Sequence, residues 1–187
     1  MLSSVPLLLF VAVLIATLVR GRAVRTASGR SAWAFTAARG LQRIAGAAFA
    51  LSGFTLGAAA IVVALAGDRS IPALAAGSAF AALGALIVVV AQVQMGAAWR
   101  VGVRDGDAPL FVTAGLFRFS RNPIFVGMIL MAAGIAVAAG SWWAIIAAAI
   151  FAIACDVQTR VEEVHLSRAF GAAYDDFRHT TPRWLLR

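Results

Sequence analysis

The sequence predicts an all-α integral membrane protein of about five transmembrane helices. Of its 187 residues, 62% are hydrophobic and only 13% are charged, which is too little polar surface for a water-soluble domain of this length. The mean hydropathy of +0.90 points the same way. Five apolar segments predict the spans, near residues 4–19, 42–66, 72–98, 123–139 and 142–158. We expect one membrane domain over 1–187, in which a three-helix part (1–98) precedes a connector, a helical hairpin and a C-terminal helix (99–187).

The first apolar segment predicts an uncleaved membrane helix. A secretory signal carries its positive charge before the apolar core, whereas here Arg20, Arg22 and Arg25 follow it. The second and third segments reach the roughly 20 residues that a helix needs to cross the hydrocarbon core, and Pro72 favours a helix start. The first, fourth and fifth are shorter, so they thin the bilayer locally, extend past these bounds or stop short of a full crossing.

The last two spans form a continuous apolar run broken at Gly140-Ser141, which predicts a helical hairpin whose two ends return to one membrane face. Beyond it, Leu166, Phe170, Tyr174 and Phe177 recur at helical spacing and predict an amphipathic helix over about 160–178. Pro182 ends that helix, and Arg183-Trp184 suits an interfacial anchor. Glycines spaced by four and seven, including Gly77, Gly84, Gly127 and Gly134, predict close helix packing.

The 16 basic residues, all arginine, predict the orientation in the membrane. With the N-terminus outside, segments 20–41, 99–122 and 159–187 are cytoplasmic and Arg69 is the one arginine left outside. We therefore expect a multi-pass protein of the cell (inner) membrane with a cytoplasmic C-terminus. Because the arginines flank apolar spans, they predict contact with lipid headgroups and no nucleic-acid partner.

The cysteine and histidine residues indicate neither a disulfide nor a metal site. Cys155 is the single cysteine, so no intramolecular disulfide forms, and its apolar surroundings predict a buried small side chain. His165 and His179 lack partners at metal-ligand spacing, so we predict no metal site.

Two short polar stretches at the ends of the hairpin are the candidate site. Arg118-Phe-Ser-Arg121-Asn122-Pro123 precedes it, and Arg160-Val-Glu162-Glu163 follows it. Proline in a helix's first turn leaves neighbouring N–H groups free to meet an anion, while a carboxylate suits a cation such as an ammonium. Adjacent helical residues point about 100° apart, so at most one glutamate faces a pocket directly. Alternatively, the arginines are only the positively charged flank of a membrane helix, and the two glutamates are ordinary surface acids.

Several motifs occur in a fixed order, and together they resemble the isoprenylcysteine carboxyl methyltransferase family. That family is grouped with the phospholipid N-methyltransferases, and the resemblance covers about residues 94 to 184. The motifs are Val112-Thr113-x-Gly115-Leu116-Phe117, Arg121-Asn122-Pro123-Ile124-Phe125-x-Gly127, Glu162-Glu163-x-x-Leu166, Phe170-Gly171-x-x-Tyr174 and Pro182-Arg183.

The resemblance implies S-adenosylmethionine as methyl donor and S-adenosylhomocysteine as product. Carried onto this sequence, the family's nucleoside pocket corresponds to Phe111, Val112 and Phe117. Its helix-start contacts correspond to Arg121, Asn122, Pro123, Ile124 and Phe125. Glu163, with Glu162 beside it, corresponds to the partner of the methionine ammonium, and Arg160 and Glu162 fall at the expected methyl-transfer centre. The family usually has histidine where this chain has Asn122, so a role for an imidazole there is lost.

The expected function is therefore methyl transfer to a lipophilic or membrane-embedded acceptor, whose carboxylate, thiol, amine or phenol remains open. Membrane lipids surround such an enzyme, and the oligomeric state is open. A membrane NADPH-dependent reductase of the sterol type is an alternative, because it shares a similar C-terminal arrangement. A non-catalytic scaffold or small transporter is another, although a transporter needs ionisable groups at mid-membrane and the first four spans contain none.

Overall fold

The computed structural model describes residues 1–28, 40–66, 70–99 and 112–185, which are helical and contain no strand. Within these ranges, short 3₁₀-helices lie at Leu2–Ser4, Gly96–Ala98 and Gly115–Arg118. The α-helices in chain order are α1 (Val5–Ser28), α2 (Gly40–Leu65), α3 (Ile71–Met95), α4 (Pro123–Ala139), α5 (Trp142–Phe170) and α6 (Ala172–Thr180).

Four of these helices, α1, α2, α3 and α5, are long and apolar enough to cross a membrane. The apolar α4 has 17 residues, which at about 1.5 Å per residue gives about 25 Å. The prediction of an all-α integral membrane protein is thus confirmed. The first span is longer than predicted, because α1 continues past Val19 to Ser28 and carries Arg20, Arg22 and Arg25. Arginine has a high helix propensity, so these charges mark a membrane edge without ending the helix.

The C-terminal amphipathic helix is present, but its predicted start at residue 160 is wrong. Residues 160–170 continue α5 without a break, because no glycine or proline interrupts them. Gly171 then leaves the helix with φ +52°, a left-handed value that glycine adopts without strain. After it, α6 runs from Ala172 to Thr180 as a separate amphipathic helix.

The close packing that the glycine spacing predicts is confirmed between α3 and α4, which make the most extensive helix contact. Gly77 faces Gly134, and a Cβ added at Gly77 would lie 2.5 Å from that residue's carbonyl oxygen. Two turns along each antiparallel helix, Gly84 faces Gly127 with the same 2.5 Å spacing. Real Cβ atoms do not approach an oxygen so closely, and the two backbones therefore touch only because these positions are glycine.

The remaining helices surround this pair. Helix α2 packs on α5, where the rings of Phe49 and Phe151 lie 4.6 Å apart. Helix α1 packs on α3, and the buried Gln92 side chain donates a hydrogen bond of 2.9 Å to Thr17. Inside the apolar region this bond satisfies an amide that lipid could not satisfy.

Candidate active site

The segment that leads into α4 lies side by side with the segment that follows α6. The N–H of Arg121 donates to the carbonyl oxygen of Pro182 at 2.9 Å. The Ser120 hydroxyl donates to the carbonyl oxygen of Arg183 at 3.0 Å, and the Asn122 amide donates to the same oxygen at 3.3 Å. These three bonds hold the chain end against the start of α4.

Glu163 joins both segments to α5. Its carboxylate lies 2.9 Å from Nη2 of Arg121, and the two side chains are 9% and 8% exposed. Arg183 approaches the same carboxylate in a bidentate way, with Nε 3.1 Å from both oxygens and Nη2 2.7 Å from Oε2. Arg121 also donates from Nη1 to the carbonyl oxygen of Arg178 at 3.1 Å. One carboxylate therefore holds two guanidinium groups at the point where α4, α5 and α6 meet.

The electrostatics of this junction follow from the contacts. Hydrogen bonding to Glu163 raises the pKa of Arg183, against an opposing effect of desolvation. Tyr174 is 1% exposed, and burial raises its pKa to about 12, with Glu163 adding to the shift. Both the guanidinium charge and the neutral phenol are thus fixed over the physiological pH range.

The start of α4 has the geometry that the Asn122-Pro123 pair predicts. Asn122 is the N-cap residue and Pro123 occupies the first turn, so neighbouring N–H groups lack partners within the helix. The preceding loop is tied to α3, since the N–H of Leu116 donates to Oε1 of Gln94 at 2.8 Å. Gly115 makes this approach possible, because a Cβ there would lie 2.5 Å from the Gln94 side chain.

The apolar residues of the predicted cofactor site divide between the core and positions nearer solvent. Phe117 is buried, and Val112 is half-buried. Ile124 packs against Trp99 and Val24, and Phe125 packs against the main core. Phe111 lies outside the described residues. The structure thus brings Arg121 into contact with Glu163 and Asn122 into contact with Arg183, while Ile124 and Phe125 contribute packing around the α4 start.

Glu162 and Arg160 make contacts along α5 itself. Glu162 accepts a hydrogen bond of 3.1 Å from Gln158, and Arg160 pairs with Asp156 at 2.7 Å with its side chain 61% exposed. Of the two adjacent glutamates, Glu163 is the one that meets Arg121, as the angular separation of neighbouring helical residues requires.

A pocket of about 460 Å³ opens beside Glu163, between α5, α6 and the chain end. Of the predicted site residues, Arg160 and Glu163 line it, and no residue of 112–125 does. The other lining residues are Val164, Ser167, Arg168, Arg178 and Arg183.

Arg178, Arg183 and Tyr174 also belong to this junction, although none of them was among the predicted site residues. Arg183 was expected as an interfacial anchor, and its guanidinium in addition binds Glu163. In the sequence, Gly171 was the residue that could have indicated these roles, since a helix break there folds the following residues back toward the α4 start.

Comparison with known proteins identifies the family of the chain. No curated protein and no solved structure matches it significantly. The family model described as phospholipid methyltransferase matches residues 72–173, which is more than half of the chain and includes both Arg121 and Glu163. That family is related to the isoprenylcysteine carboxyl methyltransferases, so the resemblance noted in the motifs is confirmed. The chain belongs to the phospholipid methyltransferase family.

Proposed function

We propose that this protein transfers the methyl group of S-adenosylmethionine to a lipophilic acceptor within the membrane. Family membership supports a membrane methyltransferase. The observation that carries the cofactor assignment is the 2.9 Å contact between Arg121 and Glu163. It joins a helix start with free N–H groups to a carboxylate, so one small region offers partners for both an anionic and a cationic ligand group.

In this proposal the amino-acid part of the cofactor lies at the junction. The N–H groups of Ile124 and Phe125 meet its carboxylate, because the Asn122 N–H already donates to Oγ of Ser120 and Pro123 has none. Glu163, with Glu162 beside it, meets its ammonium. Glu163 already holds two guanidinium groups, so we expect the ammonium to take the place of Arg183. That side chain is 29% exposed against 8% for Arg121, and it regains water more readily when it leaves.

Phe111, Val112 and Phe117 are proposed to enclose the nucleoside, and Arg160 and Glu162 to lie at the transfer centre. When bound, the cofactor supplies an electrophilic methyl on sulfur, whose bond breaks as the bond to the acceptor forms and leaves S-adenosylhomocysteine. The contribution of the chain is then orientation of donor and acceptor. Arg160 is suited to hold an anionic acceptor group, because its side chain is exposed at the pocket.

The same proposal places the site on the cytoplasmic side of the cell membrane. The arginine distribution supports an external N-terminus, since the reverse orientation would carry nearly all arginines across the bilayer. The methyl donor then reaches the junction from the cytoplasm, and the acceptor reaches it from the lipid.

Calorimetric titration of the purified full chain in detergent tests the cofactor assignment. We expect binding of S-adenosylmethionine and S-adenosylhomocysteine, and about tenfold weaker binding in Glu163→Gln, which removes a charged hydrogen-bond partner. Asp176→Asn is the matched control, since it neutralises an exposed acid on α6 that does not line the pocket. The ligand 5′-methylthioadenosine lacks the ammonium, so Glu163→Gln is expected to bind it as the unaltered chain does.

The titration also separates the rival functions. Heat with NADPH and none with S-adenosylmethionine would favour a reductase, and no heat with either would favour a scaffold or transporter. Equal weakening by Asp176→Asn and Glu163→Gln would remove Glu163 from the proposed site. The family match supports neither rival.

A further inference from the structure

The C-terminal end of α3 holds the turn that precedes α4. The N–H of Leu116 donates to Oε1 of Gln94 at 2.8 Å. A Cβ on Gly115 would lie 2.5 Å from both Cδ and Oε1 of Gln94, so the amide rests directly on the glycine backbone. Gly115 also has φ +64°, a left-handed value that glycine adopts without strain. The turn thus has a glycine at the one place where the Gln94 side chain needs the space.

Leu116 is the centre of the hydrogen bonds in this turn. Its carbonyl oxygen accepts from the N–H of Phe119 at 3.1 Å and from the N–H of Ser120 at 3.3 Å. Among the described residues, Gln94 supplies the one side chain that bonds to the backbone between 115 and 119. Phe117, directly after Leu116, is buried, so its ring moves only together with the turn. A displacement of Leu116 would therefore displace Phe117.

The position of Gln94 is itself fixed relative to the neighbouring helices. Two residues earlier, Gln92 donates its hydrogen bond to Thr17 of α1. Further along α3, the backbone of Gly84 touches that of Gly127 in α4. Gln94 therefore projects from the end of a helix that two neighbours hold in place. A side chain on such a rigid element fixes a nearby turn more precisely than the turn's own backbone does.

We propose that Gln94 is a positioning residue for the nucleoside part of the methyl donor. It acts through Leu116, whose bond to Gln94 sets the place of Phe117. This inference rests on the proposed function, in which Val112 and Phe117 help to enclose the nucleoside. Gln94 needs no contact with the cofactor for this role. What it supplies is an acceptor oxygen for the Leu116 N–H, so the role depends on that oxygen and not on the amide as such.

Calorimetric titration of the full chain in detergent with 5′-methylthioadenosine and S-adenosylhomocysteine tests this role. Both ligands contain the nucleoside, and only the second has the amino-acid part. We expect Gln94→Leu to weaken the binding of both ligands about fivefold, because it removes one hydrogen bond to the turn. Gln94→Glu is the matched control: it keeps the length of the side chain and an acceptor oxygen, so we expect it to bind both ligands as the unaltered chain does. This pattern differs from that of Glu163→Gln, which is expected to spare 5′-methylthioadenosine.

Amide hydrogen exchange adds a readout that requires no ligand. Gln94 is exposed, so neither substitution removes core packing, and the peptide that contains Leu116 should exchange faster in Gln94→Leu alone. Ligand binding by Gln94→Leu that equals that of the unaltered chain would overturn the proposal. A Gln94→Glu protein that binds as weakly as Gln94→Leu would overturn it too. Failure of the unaltered chain to bind either ligand would refute the cofactor assignment, and with it this role, whatever the exchange rates are.

Discussion

The guanidinium of Arg121 lies 2.9 Å from the carboxylate of Glu163, and this contact ties the start of α4 to the end of α5. Both side chains are almost completely buried, although they belong to the polar ends of a hairpin. A second guanidinium, from Arg183, binds the same carboxylate from the chain end. The segments before α4 and after α6 are thus both held to α5 by a single acidic group.

Removing that acidic group is expected to destabilise the fold. Glu163→Gln leaves Arg121 buried without its ionic partner, which costs about 3 kcal/mol. The measurement is the free energy of unfolding in mixed micelles, with Asp176→Asn as the control that changes charge equally at an exposed position. In the double variant with Arg121→Gln, the loss should be smaller than the sum of the single losses. Additive losses would mean that the two groups do not interact.

A methyl group at the α3–α4 contact is expected to separate the two helices. In Gly84→Ala the new Cβ would lie 2.5 Å from the Gly127 carbonyl oxygen, and such overpacking costs about 1–3 kcal/mol. Gly46→Ala is the matched control, because a Cβ there meets nothing within 4 Å and alanine favours the helix. Thermal unfolding in detergent compares the variants. A Gly84→Ala protein as stable as Gly46→Ala would contradict the packing.

Tyr174 provides a titration that reports one residue, since it is the single tyrosine of the chain. Its raised pKa predicts that the phenolate absorbance appears near pH 12 in the folded protein, and near pH 10 after unfolding. The unfolded state loses this proton first, so the stabilising effect is complete below about pH 10 and is lost as the pH rises toward 12. Tyr174→Phe should remove this part of the alkaline loss of stability. A midpoint near pH 10 in the folded protein would disprove the burial.

The proposed orientation predicts the side of the membrane from which a thiol reagent reaches cysteines introduced at exposed positions. In a Cys155→Ala background, Thr180→Cys at the end of α6 should react with an impermeant thiol reagent in inside-out vesicles. Ser70→Cys, before α3, should react in right-side-out vesicles. Both residues are exposed, so each position is a control for the other. The reverse pattern would place the Glu163 junction outside the cell.

The spans were predictable from sequence because length and apolar content are local properties of a segment. The hairpin of α4 and α5 followed from one apolar run and one glycine turn, and the structure confirms it. The end of α5 was not predictable in this way, because charged residues after Asp156 continue a helix as readily as they end it.

The partner of Glu163 was predictable only in part. The hairpin brings its two ends together, which placed Arg121 near the carboxylate. Arg183 reaches the same group because Gly171 turns the chain and α6 is nine residues long, and residue spacing alone does not fix such a return path. The roles of Val112, Phe117 and Asn122 toward a cofactor remain predictions.

The two glycine pairs of α3 and α4 fix the axial position of the start of α4, where the candidate site lies. Gly77 with Gly134 and Gly84 with Gly127 lock the helices at one axial position, and Gly127 lies one turn above Pro123. A slide of α4 along α3 would press side chains into backbone. In the proposed reaction, substitutions at the glycine pairs are therefore expected to lower the rate of methyl transfer, because they would move the start of α4 without contacting the cofactor or the acceptor.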